Sequence, residues 1–534
     1  MAGKLETYRH TCAEFKWNIP PFYNAGVIAC GKNARSLDDT ALTVIGTNGA
    51  ARNYSYYKLD LFSNKLANRF RILGLSKGDR IGFLLPPSFE AAAACMAALK
   101  SGLVIVPIFT GITSGVLVQR LRAGGVKLLL LGQNNLSLID EISSVIVELA
   151  ISVFPLIDNQ SDSHDLLEAA TVDAQSLFES AQTTPNDPAF LAFTSGSEGE
   201  PKGVLHAHRE VIGAVSTFGL RSKPFGQREV TWSSADWSWL MGLNVAFCAW
   251  YSGGTMLVQQ GTAFDPLQAL KLMANFGVQH ASLPPTALAL IQKTDEGIYH
   301  PKLRSMATAG ETLGTEVFDW VRERFDISLD EFFGMSECPA LIGNGDLIEA
   351  RRGALGVAIP GHDVQVVDEN GTVLPEGELG YIAVNKSDPG LFLGYWRNMN
   401  LALPEFHGNY FLTADLARKD ADGYFWHVGR GDDVIKSGGY RIGPGEIEDC
   451  ASSHPQVQLV GAVGQKDPIL GQVVTLWIKL RDPRAASEDL EKDIRTHIQR
   501  RLPVYQWPRK IQFIDTMPLT ATGKISRREL RELN

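Results

Sequence analysis

A chain of 534 residues, 45% hydrophobic and 20% charged, is too long for one ordinary domain and has a globular composition, which excludes the fibrous and disordered classes. Its formal net charge of −9 leaves no electrostatic footprint for nucleic acid or an anionic membrane, so a polyanionic ligand must be held by local loops and single Lys or Arg side chains. The six cysteines lack CxxC spacing and suit a reducing cytoplasm, the first residues lack a secretory apolar run, and no stretch approaches the roughly twenty apolar residues of a membrane span.

After an irregular lead-in, Leu59, Phe62, Leu66 and Phe70 recur at spacings of three and four, which predicts a helix with one buried face. From Asp79, RIGFLLPPS, FEAAAACMAALKSG and LVIVPIF read as strand, helix and strand. Such a βαβ unit needs a parallel sheet buried on both faces. A second unit begins at Val126 with the strand KLLLL and a helical stretch over residues 138–149. Residues 159–187 are rich in Ser, Asp, Thr and Gln and read as a surface excursion.

Residues 189–193 form an apolar strand that delivers the chain into TSGSEGEPKG. Gly196 and Gly199 let backbone amides turn toward an anion, Thr194, Ser195 and Ser197 add hydroxyl donors, and Lys202 adds a mobile positive charge. These are the requirements of a polyphosphate. The common nucleotide loop is excluded, because it needs Ser or Thr directly after its lysine and Gly203 stands there. Glu198 is tolerable beside phosphates if it works through a cation or points outward. The apolar spacing over 204–218 predicts a helix. His206 and His208, two residues apart with no third ligand nearby, do not share a helix face and make a poor metal site.

In SSADWSWLMGLNVAFCAWYSGG, an apolar helix follows Trp237 and Trp239 and carries Met241; these side chains are core or the wall of an apolar pocket. The run 279–324 reads as strand, loop and helix twice. Its second turn holds Ala309, Gly310 and Glu311 at a strand's carboxyl end, where open α/β sheets bind ligands. A further strand leads to EFFGMSE, containing Phe333, Gly334, Met335, Ser336 and Glu337, and the Glu337 carboxylate suits a hard divalent cation. Residues 354–400 read as short β-segments. ADGYFW is a hairpin turn between TAD, with Asp415, and GRGDD, with Arg430 and Asp432. KSGGYRIG follows, holding Gly438, Gly439, Tyr440 and Arg441. Ser487 caps a helix whose Leu490, Ile494, Ile498 and Leu502 face a sheet, and PLTATGKISRREL places Lys524 in a Gly-containing loop.

Taken in order, these motifs resemble those of the adenylate-forming superfamily, which contains acyl-CoA synthetases, luciferases and the adenylation domains of peptide synthetases. The resemblance covers nearly the whole chain. It implies an α/β fold with a large N-terminal domain of stacked βαβ sheets plus a β-rich subdomain, residues 1–431, and a small mobile α+β C-terminal domain, residues 432–534, hinged at Asp432. ATP, Mg2+ and coenzyme A are the cofactors and substrates it implies. In that pattern Thr194, Ser195, Gly196, Ser197, Glu198, Gly199 and Lys202 surround the phosphates, while Ala309, Gly310, Glu311, Phe333 and Gly334 flank adenine. Ser336 contacts the α-phosphate, Glu337 reaches Mg2+, and Asp415 and Arg430 hold the ribose. Gly438, Gly439, Tyr440 and Arg441 border the CoA path, Trp237, Trp239, Met241, Gly334 and Met335 the acyl pocket, and Lys524, Glu337 and Thr194 are catalytic.

The sequence departs from the pattern at Met335, where Gln is usual, and at Glu198, where Thr is commonest. Acetate-restricted relatives carry a pocket-closing tryptophan at the place of Gly334. Glycine there implies a medium-chain, branched or aromatic acid rather than acetate. A stand-alone enzyme loading a carrier protein would share every motif. A catalytically silent acyl- or nucleotide-binding protein is disfavoured by the presence of Lys524, Glu337 and Lys202. An oligomer is compatible with all of these.

Overall fold

The computed structural model describes residues 2–31, 38–156, 175–194, 202–219, 226–261, 264–310, 313, 315–345, 348–397, 400–431, 433–437, 440–519 and 525–533. They divide into two compact units. The first comprises Met1–Arg351, Gly356–Asp363 and Lys386–Glu405, and the second Arg352–Leu355, Val364–Asn385 and Phe406–Asn534.

The first unit contains two large sheets. One runs Val357–Ala358, Cys338–Gly343, Leu329–Met335, Ser305–Ala309, Val278–Ser282, Val230–Ser233, Thr255–Gln259, Thr40–Ile45 and Ala51–Ser55. The strands from Leu329–Met335 through Thr40–Ile45 pair in parallel, so their carboxyl ends share one edge. The other runs Asn400–Ala402, Gly394–Arg397, Lys202–Ala207, Pro188–Thr194, Val104–Pro107, Arg80–Leu84, Val126–Leu131 and Ser152–Pro155, and is parallel from Pro188–Thr194 onward.

The predicted βαβ unit is present as Arg80–Leu84, Phe89–Lys100 and Val104–Pro107. Ser88 caps its helix, accepting from the Ala91 amide at 3.1 Å. Every residue of that helix is buried, and its alanines allow close approach: a Cβ on Gly26 would lie 2.8 Å from the Met96 carbonyl oxygen. Even Lys100 is buried. Its ammonium donates to Asp60 Oδ1 at 2.6 Å, Ser63 Oγ at 2.7 Å and Asn64 Oδ1 at 2.8 Å, so its three donors are matched.

One expectation is corrected. Residues 204–218 are not a single helix: Lys202–Ala207 is a strand antiparallel to Pro188–Thr194, and the helix is Arg209–Gly219. Val204, Leu205, His206 and Ala207 are all buried, so neither period shows, and the hairpin pairing of backbone amides decides the conformation.

In the second unit, Val364–Val367, Leu379–Asn385, Tyr410–Lys419 and Phe425–Arg430 form an antiparallel sheet, the expected β-rich part. A mixed sheet of Tyr440–Ile442, Ile435–Ser437, Gly471–Leu480, Val457–Asp467 and Lys510–Phe513 carries the helices Pro444–Ser452 and Glu488–Gln499. Ser487 caps the latter as predicted, and Ile494 and Ile498 are buried in the core with Leu490 and Leu502 packed against it. The predicted boundary at 431/432 falls inside this unit, and Asp432 itself lies outside the described residues. Among the described residues no helix is long and apolar enough to cross a membrane, and none of the six cysteines forms a disulfide.

Candidate active site

The shared carboxyl edge of the parallel strands in the first unit gathers several predicted residues. Ala309 ends one strand, buried, and Gly310 follows at φ +90°, a left-handed conformation that glycine adopts freely. The neighbouring strand pairs Phe332 with Ala309 and continues through Phe333, Gly334 and Met335 to the turn at Ser336 and Glu337. On the other sheet, Thr194 and Lys202 are register partners at the two ends of the hairpin predicted to carry the phosphate loop. Ser195, Gly196, Ser197, Glu198, Gly199, Glu311, Asp432, Gly438, Gly439 and Lys524 lie outside the described residues.

The two sheets are joined at this edge. His206, on the strand Lys202–Ala207, donates from Nε2 to the Ser336 carbonyl at 2.6 Å. That bond fixes the tautomer, and Nδ1 has no hydrogen-bond partner among the described residues. Tyr395, on the strand pairing with Lys202–Ala207, donates its hydroxyl to Glu337 Oε1 at 2.7 Å. The Phe392 amide donates to the Glu337 carbonyl at 2.8 Å. Beyond the turn, Cys338 Sγ lies 3.9 Å from Asp388 Oδ1, and Asp388 Oδ2 accepts from His362 Nδ1 at 2.7 Å with both side chains 1% exposed. Burial and then the Asp388 charge push the Cys338 thiol well above its usual range, so it is an inert packing group rather than a nucleophile.

Burial dominates the electrostatics nearby. It lowers His206 to about 4 against the opposing Ser336 bond, and it lowers His208 to about 4 as well. His208 accepts at Nδ1 from the Ala25 amide at 3.2 Å. Both imidazoles are neutral at physiological pH. They serve as packed hydrogen-bonding groups, and among the described residues no metal-ligand cluster forms. Glu210 is raised to about 7 by burial, relieved only in part by the Asn244 amide at 2.7 Å, and burial raises Glu331 to about 7.

The predicted acyl residues follow the carboxyl end of Val230–Ser233. Trp237 is 5% exposed and meets Trp250 edge-on, with centroids 5.6 Å apart, so at least one of its faces is core. Trp239 is 47% exposed, and Met241 is half-buried against the core. Gly334 has its own reason to be glycine, because a Cβ there would lie 1.9 Å from the Pro339 carbonyl oxygen across the hairpin. The constraint is backbone against backbone, independent of the acid. Gly334→Ala is therefore expected to lower stability by about 1–3 kcal/mol, read as a reduced urea midpoint with or without substrate. An unchanged midpoint would show that the hairpin can widen and would return Gly334 to a purely pocket-shaping role.

In the second unit, Asp415 and Arg430 are direct cross-strand partners, bringing the two predicted ribose ligands onto adjacent strands. His427 donates to Asp415 Oδ1 at 3.0 Å. Tyr440 stacks on Tyr505, ring centroids 4.8 Å apart and planes 5° from parallel, both exposed. Arg527 bridges Asp433 at 3.2 Å and Glu448 at 2.5 Å, and Arg531 also pairs with Asp433. The helix Arg527–Glu532 is thereby tied to the segment following residue 432.

Sequence reasoning missed His427, Tyr395 and the anchoring role of His206. Tyr395 stands 58 residues from Glu337, and no local spacing connects them.

The profile of the AMP-binding enzyme family matches residues 31–396, and that of the AMP-binding enzyme C-terminal domain matches residues 446–524. The chain is 32% identical over 497 residues to an uncharacterized acyl–CoA ligase, YtcI, of Bacillus subtilis, covering 92% of this chain and 93% of that protein. It is 30% identical over 554 residues to the mitochondrial acyl-coenzyme A synthetase ACSM3 of Rattus norvegicus, covering 99% and 93%. Among solved structures it resembles the anthranilate CoA ligase AuaEII in complex with anthranoyl-AMP, with a TM-score of 0.83, 25% identity and 98% coverage of both chains. ATP-bound MatB from Rhodopseudomonas palustris gives a TM-score of 0.81 at 25% identity, covering 96% of this chain and 99% of that one. With motifs, fold and both family profiles in agreement over nearly its full length, the chain belongs to the AMP-binding enzymes, the adenylate-forming superfamily of the acyl-CoA synthetases, and is an acid–thiol ligase of that family.

Proposed function

We propose that the protein activates a medium-chain, branched or aromatic monocarboxylic acid with ATP and transfers the acyl group to coenzyme A, releasing AMP and pyrophosphate. The observation that carries this reading is the His206 bond to Ser336, which sets the strand leaving the phosphate loop against the turn bearing Glu337. An aromatic acid is favoured by the tryptophans after Val230–Ser233 and by the likeness to an anthranilate CoA ligase.

A carboxylate is a poor electrophile, so its oxygen attacks the α-phosphorus of ATP and pyrophosphate leaves, giving an acyl adenylate. Two anions must approach, and positioning plus charge neutralisation accounts for the acceleration. Thr194, Ser195, Ser197, Lys202 and the loop amides hold the phosphates, while Ala309, Gly310, Glu311 and Phe333 flank adenine. Asp415 and Arg430 take the ribose hydroxyls, and Lys524 neutralises charge between the carboxylate and the α-phosphate. Glu337 fits magnesium: a single carboxylate, with Oε2 meeting no donor among the described residues, suits a cation otherwise bound by substrate phosphates. Magnesium would supply charge compensation on the leaving pyrophosphate.

In the second half-reaction the CoA thiolate attacks the acyl carbon and AMP leaves. Gly438, Gly439, Tyr440 and Arg441 border the CoA path, and a C-terminal domain beginning at Asp432 alternates about that residue between the two steps. Six cysteines without a disulfide suit a reducing compartment such as the cytoplasm.

Pyrophosphate release with ATP and magnesium, measured over acids from acetate to decanoate plus benzoate and anthranilate, with and without CoA, tests the reading. Multiple turnovers that require CoA and favour an acid larger than acetate are expected. One methylene alters selectivity by about 1–3 kcal/mol, so a graded preference should appear. A single burst indifferent to CoA would move the acceptor to a carrier protein, and a maximum at acetate would overturn the substrate class.

A further inference from the structure

The Ser336–Glu337–Cys338 turn is held from several directions. Its backbone is fixed by the His206 bond to the Ser336 carbonyl at 2.6 Å and by the Phe392 amide on the Glu337 carbonyl at 2.8 Å. Cys338 is sealed beneath Asp388, whose Oδ1 also accepts from the Gly390 amide at 2.8 Å. With the main chain fixed, the remaining freedom of Glu337 is its side-chain torsions. The Tyr395 hydroxyl, 2.7 Å from Oε1, restrains these.

Tyr395 is itself well placed to be rigid. Its strand, Gly394–Arg397, is antiparallel to Lys202–Ala207, with Tyr395 opposite Val204 and Trp396 opposite Gly203. Its ring meets Phe392 at 4.8 Å and 67°. Next to it, Trp396 donates from Nε1 to the Ala123 carbonyl at 3.0 Å and packs so closely that a Cβ on Gly203 would lie 3.1 Å from its own Cβ. The phenol therefore reaches Glu337 from the strand that backs the exit of the phosphate loop.

We infer that Tyr395 is a positioning residue: its hydroxyl holds Oε1 of Glu337 so that Oε2 would be left to take a divalent cation, registering that carboxylate to the strand Lys202–Ala207. This rests on the reading of Glu337 as the metal ligand. A hydroxyl bonded to one oxygen of a ligating carboxylate fixes its orientation, and removing such a partner typically weakens metal affinity about 10–100-fold.

The test uses the full chain with ATP and no acid, so that no turnover occurs, and follows manganese binding by loss of the free-ion paramagnetic resonance signal. Tyr395→Phe deletes one oxygen and keeps the ring contact with Phe392; it is expected to weaken manganese binding about tenfold with an unaltered melting temperature. Glu337→Gln should weaken binding at least as much, and adding Tyr395→Phe to it should cost nothing further. Magnesium titrations of pyrophosphate release should show the same tenfold rise in the half-saturating concentration for Tyr395→Phe, with the loss reversed at high magnesium. If Glu337→Gln leaves manganese binding intact, the metal reading of Glu337 fails and the inference falls with it. If Glu337→Gln weakens binding and Tyr395→Phe does not, or if Tyr395→Phe lowers only the melting temperature, Tyr395 is a structural strut and the inference alone is overturned.

Discussion

Replacing Lys524 by alanine is expected to reduce adenylation by about 10²–10³-fold, roughly 3–4 kcal/mol of transition-state stabilisation, while leaving thioester formation from a supplied acyl adenylate nearly intact. The asymmetry follows from the chemistry. In the first half-reaction a carboxylate approaches a polyphosphate, and a missing cation exposes that repulsion. In the second, a neutral acyl carbon is attacked and AMP leaves, so the lysine has no comparable charge to compensate. A bulky residue at Gly439 should give the opposite pattern, obstructing the thiol path while sparing acid-dependent pyrophosphate release. The two half-reactions are measured separately, by pyrophosphate release in a single turnover and by CoA ester formation from synthetic acyl adenylate. Equal losses in both for Lys524→Ala would refute the division of labour.

The second large effect is on stability against pH. His206 is held neutral, with its titration lowered from 6.5 to about 4 by burial. An unfolded chain binds its proton near pH 6.5 and the folded chain does not. The stability this neutral imidazole contributes is thus complete above 6.5 and is lost as the pH falls toward 4, by up to about 3 kcal/mol. Glu210 runs the other way: raised from 4.5 to about 7, its contribution is complete below 4.5 and disappears as the pH rises through 7. The two offset each other in the wild-type profile, so the variants are informative. His206→Gln keeps an amide donor for the Ser336 carbonyl but does not titrate. Its urea midpoint should gain on wild type steadily from pH 7 to 4. Glu210→Gln should gain on wild type from pH 4.5 to 7. Variant and wild-type curves that run parallel would mean these groups titrate alike in both states.

Local chemistry carried much of the fold into the sequence. The βαβ unit is legible because a short apolar run, an alanine helix and a β-branched run leave few alternatives, and Ser487 announces its helix because a capping hydroxyl acts within three residues. The candidate site was legible for a similar reason. Gly-rich turns at strand ends, a carboxylate in EFFGMSE and a lysine in PLTATGK are contiguous strings, and their order along the chain identifies the family.

What the sequence left undetermined is whatever depends on partners distant in the chain. Residues 202–207 became a strand rather than the start of a helix because Pro188–Thr194 pairs with them, and a run buried on both faces carries no period to say so. Lys100 reads as an exposed helix-end cation, yet three acceptors from residues 60–64 bury it. Gly334 suggested an enlarged acyl pocket, whereas the hairpin places the Pro339 carbonyl where its side chain would begin. Tyr395 and His206 are ordinary residues in sequence, and they acquire roles when the two sheets set them against Glu337 and Ser336. The sequence by itself determined the family and pointed to the residues expected to carry its chemistry, because those lie in short strings with local geometry. The tertiary structure alone decided how Ser336, Glu337 and Asp415 are held, because hydrogen bonds act over about 3 Å and their partners are separated by as many as 130 residues.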